Sequence, residues 1–244
     1  MRDTVRVRTP GVRMIAHRGL SGIEKENTCA AFVAAGNRSY YGVETDIHRT
    51  SDGRLIVFHD DNLQRIAGVD LTVEETDFDT LRAVRMADRD GVPRHDLVLP
   101  SLEEYVSVCK TYGKESILEL KNPFAPEDID RVIALLQGLS WLEHTVFISF
   151  DLGNLLHIRR RLPQQRAQFL VCEFSEGLID LLRENRLDLD IHYAAIDAAQ
   201  IRACHDAGIE VNVWTVDSPE DAQRLCAWGV DYITSNILEA SAPL

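Results

Sequence analysis

His17-Arg18, Glu44 with Asp46, and His59-Asp60 stand at the ends of short apolar runs within residues 15–60. Two imidazoles, a guanidinium and two carboxylates on neighbouring strand ends suit a phosphate held through a divalent metal, with proton transfer on either side of it. Glu119 and Lys121 repeat the pattern, adding one carboxylate and one cation at a later strand end. Side chains two apart on a strand share a face and lie roughly 6.6 Å apart along it. That parity turns Val43, Thr45 and Ile47 toward packing helices. It turns Glu44 and Asp46 inward, with His48 next in the same register. Carboxylates crowded in a buried place repel one another, and a divalent cation removes the cost. Together with Glu119 they form an oxygen-rich set that suits Mg²⁺ or Ca²⁺ more than zinc. The competing arrangement is neutralisation by Arg18 and Lys121 without a metal.

Arg18 can clamp a phosphate oxygen with its planar fork, and Lys121 can meet one as a point charge. His17 and His59 pair as general acid and base, in an order that the residues alone do not assign. Asp60 is a weak partner for the His59 ring, because adjacent side chains on a strand diverge. Asn27 serves either as N-cap of the first helix or as support behind the site. Trp214 and His192 end later strands, where Trp214 can wall a substrate pocket and His192 is a further candidate to line it. His95, His144, His157 and His205 read as surface or packing residues. The run Arg159-Arg160-Arg161 reads as a solvated helix end. Together these residues read as a metal-assisted phosphodiester-cleaving site.

The elements that must position them alternate regularly. Strands are expected at residues 12–16, 42–47, 116–120, 145–150, 167–171, 188–192, 210–214 and 231–234. Helices fall between them, at 28–36, 101–109, 126–136, 151–161, 175–184, 197–207 and 218–228. Ser101 with Glu104 is a capping box, and Gly208 and Gly229 stand where C-cap glycines belong. A short strand at 55–58 follows the turn Ser51-Asp52-Gly53 and doubles back on its predecessor. Eight major strands without a Gly-rich nucleotide loop predict a (β/α)8 barrel, with residues 60–99 inserted after the second strand. The alternative is a doubly wound open sheet. Residues 1–244 are expected to form one catalytic barrel domain.

The net charge of −13 opposes a nucleic-acid or anionic-membrane partner, whereas local cations still accept a small anion. Cys29, Cys109, Cys172, Cys204 and Cys226 show no paired spacing and read as reduced thiols. Neither a signal-like run nor an apolar span is evident, so the expected location is the cytoplasm, without stable membrane anchoring.

The motifs resemble the glycerophosphodiester phosphodiesterase family. They are IAHRG at 15–19, ENTCAAF at 26–32, GVETDIHRTSDGRLIVFHDDNLQR at 42–65, LPSLEE at 99–104, LELK at 118–121, ISF at 148–150, VNVWTVDSPED at 211–221 and GVDYITSN at 229–236. The resemblance covers nearly the whole chain. It implies a TIM barrel that hydrolyses small-molecule glycerophosphodiesters to sn-glycerol 3-phosphate and an alcohol. It implies one divalent ion, Mg²⁺ or Ca²⁺, on the equivalents of Glu44, Asp46 and Glu119. His17 and His59 take the acid and base roles, Arg18 and Lys121 hold phosphate, and Trp214 contacts substrate. Two departures stand out. Lys25 replaces a frequent proline, and Thr234-Ser235-Asn236 lacks the usual acid after threonine.

Overall fold

Eight of the apolar runs pair in parallel, and the last returns to the first. The structure is a computed structural model that describes residues 3–92 and 94–241. In chain order its strands are Val5–Val7 (β1), Arg13–Ala16 (β2), Gly42–Arg49 (β3), Leu55–Val57 (β4), Glu115–Leu120 (β5), Thr145–Ser149 (β6), Ala167–Val171 (β7), Asp188–His192 (β8), Val211–Trp214 (β9), Tyr232–Ser235 (β10) and Leu238–Ala240 (β11). The helices are Cys29–Gly36 (α1), Gln64–Ala67 (α2), Phe78–Ala83 (α3), Leu102–Tyr112 (α4), Pro126–Gly138 (α5), Leu152–Arg161 (α6), Leu178–Asn185 (α7), Ala198–Asp206 (α8) and Pro219–Trp228 (α9). Strand β2 pairs with both β10 and β3, which closes the sheet into a (β/α)8 barrel.

Strand parity decides what lies where. Val43 and Ile47 pack outward into the core shared with the helices. Ile15, Ile117, Val146, Ile148, Leu170 and Tyr232 cluster apart from it, on the inward faces of their strands. The β3–β5 register sets Glu44 across from Ile117 and Asp46 across from Glu119, so the carboxylates sit at the C-terminal end of this filling. Active sites of such barrels are built at that end.

The insertion has a small core of its own. Strand β4 runs antiparallel to β3, pairing Val57 with Ile47. Ile56, Phe58, Leu63, Phe78, Leu81 and Leu97 pack together beneath α2 and α3. Arg82 holds Glu104 on α4 with two hydrogen bonds of 2.7 and 3.0 Å. Ser101 and Glu104 close the predicted capping box.

Two local features lie outside the sequence expectations, and of the two roles open to Asn27 the structure shows support behind the site. Helix α2 and the two-stranded sheet β1–β11 were not foreseen, because elements of three or four residues show no readable period. The N-cap of α1 is Thr28, whose side chain accepts from the Ala31 N–H. Asn27 instead adopts φ +53° and turns its amide inward. No helix among the described residues is long and apolar enough to cross a membrane.

Candidate active site

Glu44, Asp46 and Glu119 are almost wholly buried, at 3%, 1% and 6% exposure. One carboxylate oxygen from each lies within 4.8 Å of the others. Glu44 Oε2 accepts from the Arg18 backbone N–H at 2.7 Å, and Asp46 Oδ2 accepts from Asn27 Nδ2 at 2.8 Å. Asn27 is fixed in turn by the Thr45 hydroxyl, which donates to its Oδ1 at 2.7 Å. Lys121 Nζ stands 2.9 Å from Glu119 Oε1 and 3.5 Å from Asp46 Oδ1, and Arg18 Nε stands 3.7 Å from Asp46 Oδ2.

Two cations against three carboxylates leave one negative charge over. Asp46 Oδ1 and Glu119 Oε1 are buried and accept no aligned hydrogen bond. Burial and the neighbouring Asp46 carboxylate push Glu119 up to about 8 and raise Glu44. Burial would raise Asp46 too, but Lys121 and Arg18 overcome it and hold that carboxyl below its ordinary value. A hard divalent cation fits this set, since it takes oxygen ligands and would satisfy both orphaned atoms.

The two histidines line the same cavity as Glu44 and Glu119. His17 Nδ1 lies 2.8 Å from Asn236 Oδ1. The Asn236 amide N–H donates to Asp217 Oδ2 at 2.6 Å, and a carboxylate only accepts. Its oxygen therefore faces His17, Nδ1 carries the hydrogen, and Nε2 is left bare, 4.0 Å from Glu44 Oε2. His59 Nδ1 bonds Asp60 Oδ1 at 2.7 Å, which exposes its Nε2 in the same way. Burial and the Arg18 charge lower His17 to about 4. Burial also lowers His59, against the pull of Asp46.

The cavity has a volume of about 60 Å³ and runs from these polar groups to Ile148, Phe150, Leu170 and Trp214. Phe150 and Trp214 meet edge to face with centroids 5.7 Å apart. Beside it lies a wider polar groove of about 580 Å³, lined in part by Ser21, Lys25, Glu26, Arg65, Arg89 and Asn236. Asn236 holds His17, and Glu26 accepts from Arg18 at 2.8 Å, so the groove borders the reacting groups directly.

The fold thus gathers His17, Arg18, Glu44, His59, Glu119, Lys121 and Trp214 around one cavity, with Asp46 just beneath. Three expectations need correction. Asp60 is a close partner of His59, because β4 ends at Val57 and strand divergence no longer applies. His48 lies outside the cavity, fully buried under the insertion, with Nδ1 3.2 Å from Glu74 and Nε2 3.4 Å from the His59 carbonyl. His192 is not among the described residues that line the cavity, and its ring packs against the Trp214 edge at 5.4 Å. Sequence reasoning missed Glu26, Asp190, Asp217 and the role of Asn236. Glu26, Asp217 and Asn236 lie within motifs that carry the resemblance, whereas Asp190 carried no signal.

Comparisons with known proteins bear on the same residues. The model of the glycerophosphoryl diester phosphodiesterase family matches residues 17–239. A glycerophosphodiester phosphodiesterase of Caldanaerobacter subterraneus is 27% identical over 229 residues, spanning 91% of this chain and 93% of that protein. Among solved structures, an Oleispira antarctica phosphodiesterase in complex with the product sn-glycerol-3-phosphate is similar at TM-score 0.84 and 26% identity, over 92% of this chain and 93% of that one. A glycerophosphodiester phosphodiesterase from Parabacteroides distasonis is similar at TM-score 0.78 and 26% identity, over 95% and 94%. From the matched span and the barrel that carries it, the chain belongs to the glycerophosphoryl diester phosphodiesterase family and is a hydrolytic enzyme.

Proposed function

We propose that the protein hydrolyses glycerophosphodiesters to sn-glycerol 3-phosphate and an alcohol, with one Mg²⁺ or Ca²⁺ on Glu44, Asp46 and Glu119. The carrying observation is the three-carboxylate cluster flanked by two imidazoles whose Nδ1 atoms are both tied back. Binding alone needs no such pair. A bound divalent cation supplies Lewis-acid charge to the phosphoryl group. Arg18 and Lys121 hold the remaining phosphate oxygens, already poised by Glu26 and Glu119.

His17 Nε2 takes the proton of the glycerol 2-hydroxyl as that oxygen attacks phosphorus. The bond from phosphorus to the leaving oxygen breaks, and His59, which enters the step doubly protonated against Asp60, gives that oxygen its Nε2 proton. Water then opens the cyclic phosphate with the two proton roles reversed, leaving sn-glycerol 3-phosphate. This order follows from the partners: Asp60, an anion, supports a charged His59 ring, whereas the neutral Asn236 amide supports an uncharged His17. The glycerol end occupies the small cavity beside Trp214, and the alcohol leaves through the wide groove past Lys25. Residues 1–244 act as one catalytic unit, in the cytoplasm, on small molecules, without stable membrane anchoring or nucleic acid. Coupled detection of glycerol 3-phosphate released from glycerophosphocholine, before and after EDTA, tests the assignment. Metal-independent release, or none with any metal, contradicts it.

A further inference from the structure

Two polar atoms on residues that line the small cavity have nothing to bond. Asp190 Oδ1 and Trp214 Nε1 are both buried without a hydrogen-bond partner. Asp190 lies on β8 at 2% exposure and lines the cavity together with Trp214. The Asn212 side chain reaches the Asp190 carboxyl but leaves Oδ1 unbonded. Asn212 Nδ2 donates to Gln168 Oε1 at 3.2 Å, and the Thr234 hydroxyl donates to Asn212 Oδ1 at 3.2 Å. Asp190 also stands outside the carboxylate cluster, and the two imidazoles are tied to Asn236 and Asp60 rather than to it, so neither metal binding nor proton transfer explains it. A buried acceptor left without a partner destabilises a fold, and such a group marks a place where a ligand completes the bonding.

The chemistry of the missing partner can be read from the pair. Burial pushes the Asp190 carboxyl up to about 8, so near neutral pH it is largely protonated and both donates and accepts. Trp214 Nε1 only donates. A carboxylic acid beside an indole N–H matches a hydroxyl, which accepts from one and exchanges hydrogen bonds with the other. An ester oxygen lacks the hydrogen. The cavity of about 60 Å³ holds roughly two water-sized groups, which suits a glycerol carbon and its oxygen but not an acyl chain.

We propose that Asp190 and Trp214 Nε1 bind the terminal hydroxyl of the glycerol moiety, and that this contact makes the enzyme select free glycerophosphodiesters over 1-acylated lysophospholipids. The inference rests on the reaction proposed above and names its specificity determinant. Asp190 acts on selectivity, because the attacking 2-hydroxyl lies one carbon away.

The test compares three substrates: glycerophosphocholine, its analogue lacking only the terminal hydroxyl, and 1-acyl-glycerophosphocholine. The wild type should prefer the first over the second by about 10- to 100-fold in kcat/KM, and should barely turn over the third. Asp190→Asn, which still donates and accepts, should keep most of the preference. Asp190→Leu should bring the first two substrates within about threefold of each other, while its melting temperature stays level or rises. Equal wild-type rates on the first two substrates, or an unchanged ratio in Asp190→Leu, overturns the proposal. Calorimetric binding of sn-glycerol 3-phosphate and of propane-1,2-diol phosphate separates it from the reaction itself. Selective binding that Asp190→Leu abolishes, in a protein that cleaves none of the diesters, sinks the reaction and keeps the hydroxyl site. Unselective binding sinks the site.

Discussion

His17 and His59 differ in what stands behind them, and that difference predicts their roles. His59→Ala should cost about 10²- to 10⁴-fold in kcat on glycerophosphocholine. The loss should shrink sharply on a p-nitrophenyl diester, whose leaving oxygen needs no proton. His17→Ala should lose activity on both substrates. Equal rescue of the two variants would contradict the assignment. Asn27→Ala removes the donor to Asp46 Oδ2, and should weaken metal affinity by about 10- to 100-fold in a calorimetric titration. Residue types and strand parity pointed to Glu44, Asp46 and Glu119, which lie on regular strands, and to Lys121, which directly follows one. Asp60 and Asn236 follow strand ends, where parity stops, so their contacts with the histidines depend on loop conformation and were not readable.

Loop and helix together set the position of Glu44. Gly19 adopts φ +74°, and its N–H donates to the Glu44 carbonyl at 3.2 Å. A Cβ there would lie 2.7 Å from the Ala31 backbone on α1. Gly19→Ala should therefore cost about 1–3 kcal/mol in urea unfolding, and should weaken metal binding because the shifted loop pulls the Arg18 N–H from Glu44. Unchanged stability would show that α1 yields without strain. The order of barrel strands was legible because apolar runs of about five residues alternate with helical segments, several of them opened by a side-chain cap. The β1–β11 pairing was not, because Val5–Val7 and Leu238–Ala240 meet only once the barrel has brought the chain ends together.

Protons and metal compete across the whole molecule. Glu119 and Asp190 are both held near 8 in the folded protein, above their ordinary values of 4.5 and 3.8. The metal-free fold thus binds more protons than the unfolded chain, and stability falls as pH rises through about 8. His17 and His59 oppose this only below their ordinary value of 6.5, so the fall should be clearest between pH 6.5 and 8.5. In EDTA the melting temperature should drop over that window. Added Mg²⁺ or Ca²⁺ should cancel most of the drop, and metal affinity should rise with pH. A flat melting profile in EDTA would contradict the protonated cluster. The charge of −13 bears on partners at this scale, but the cations that meet substrate are local and were found only by position.

The most direct test of the account is release of glycerol 3-phosphate from glycerophosphocholine by EDTA-stripped protein, before and after Mg²⁺ or Ca²⁺ is restored, alongside Glu44→Gln. Stripped protein should release none, restored metal should bring release back, and the variant's metal titration should shift to higher concentration. Full activity in the stripped protein, or an unshifted titration in Glu44→Gln, would contradict it.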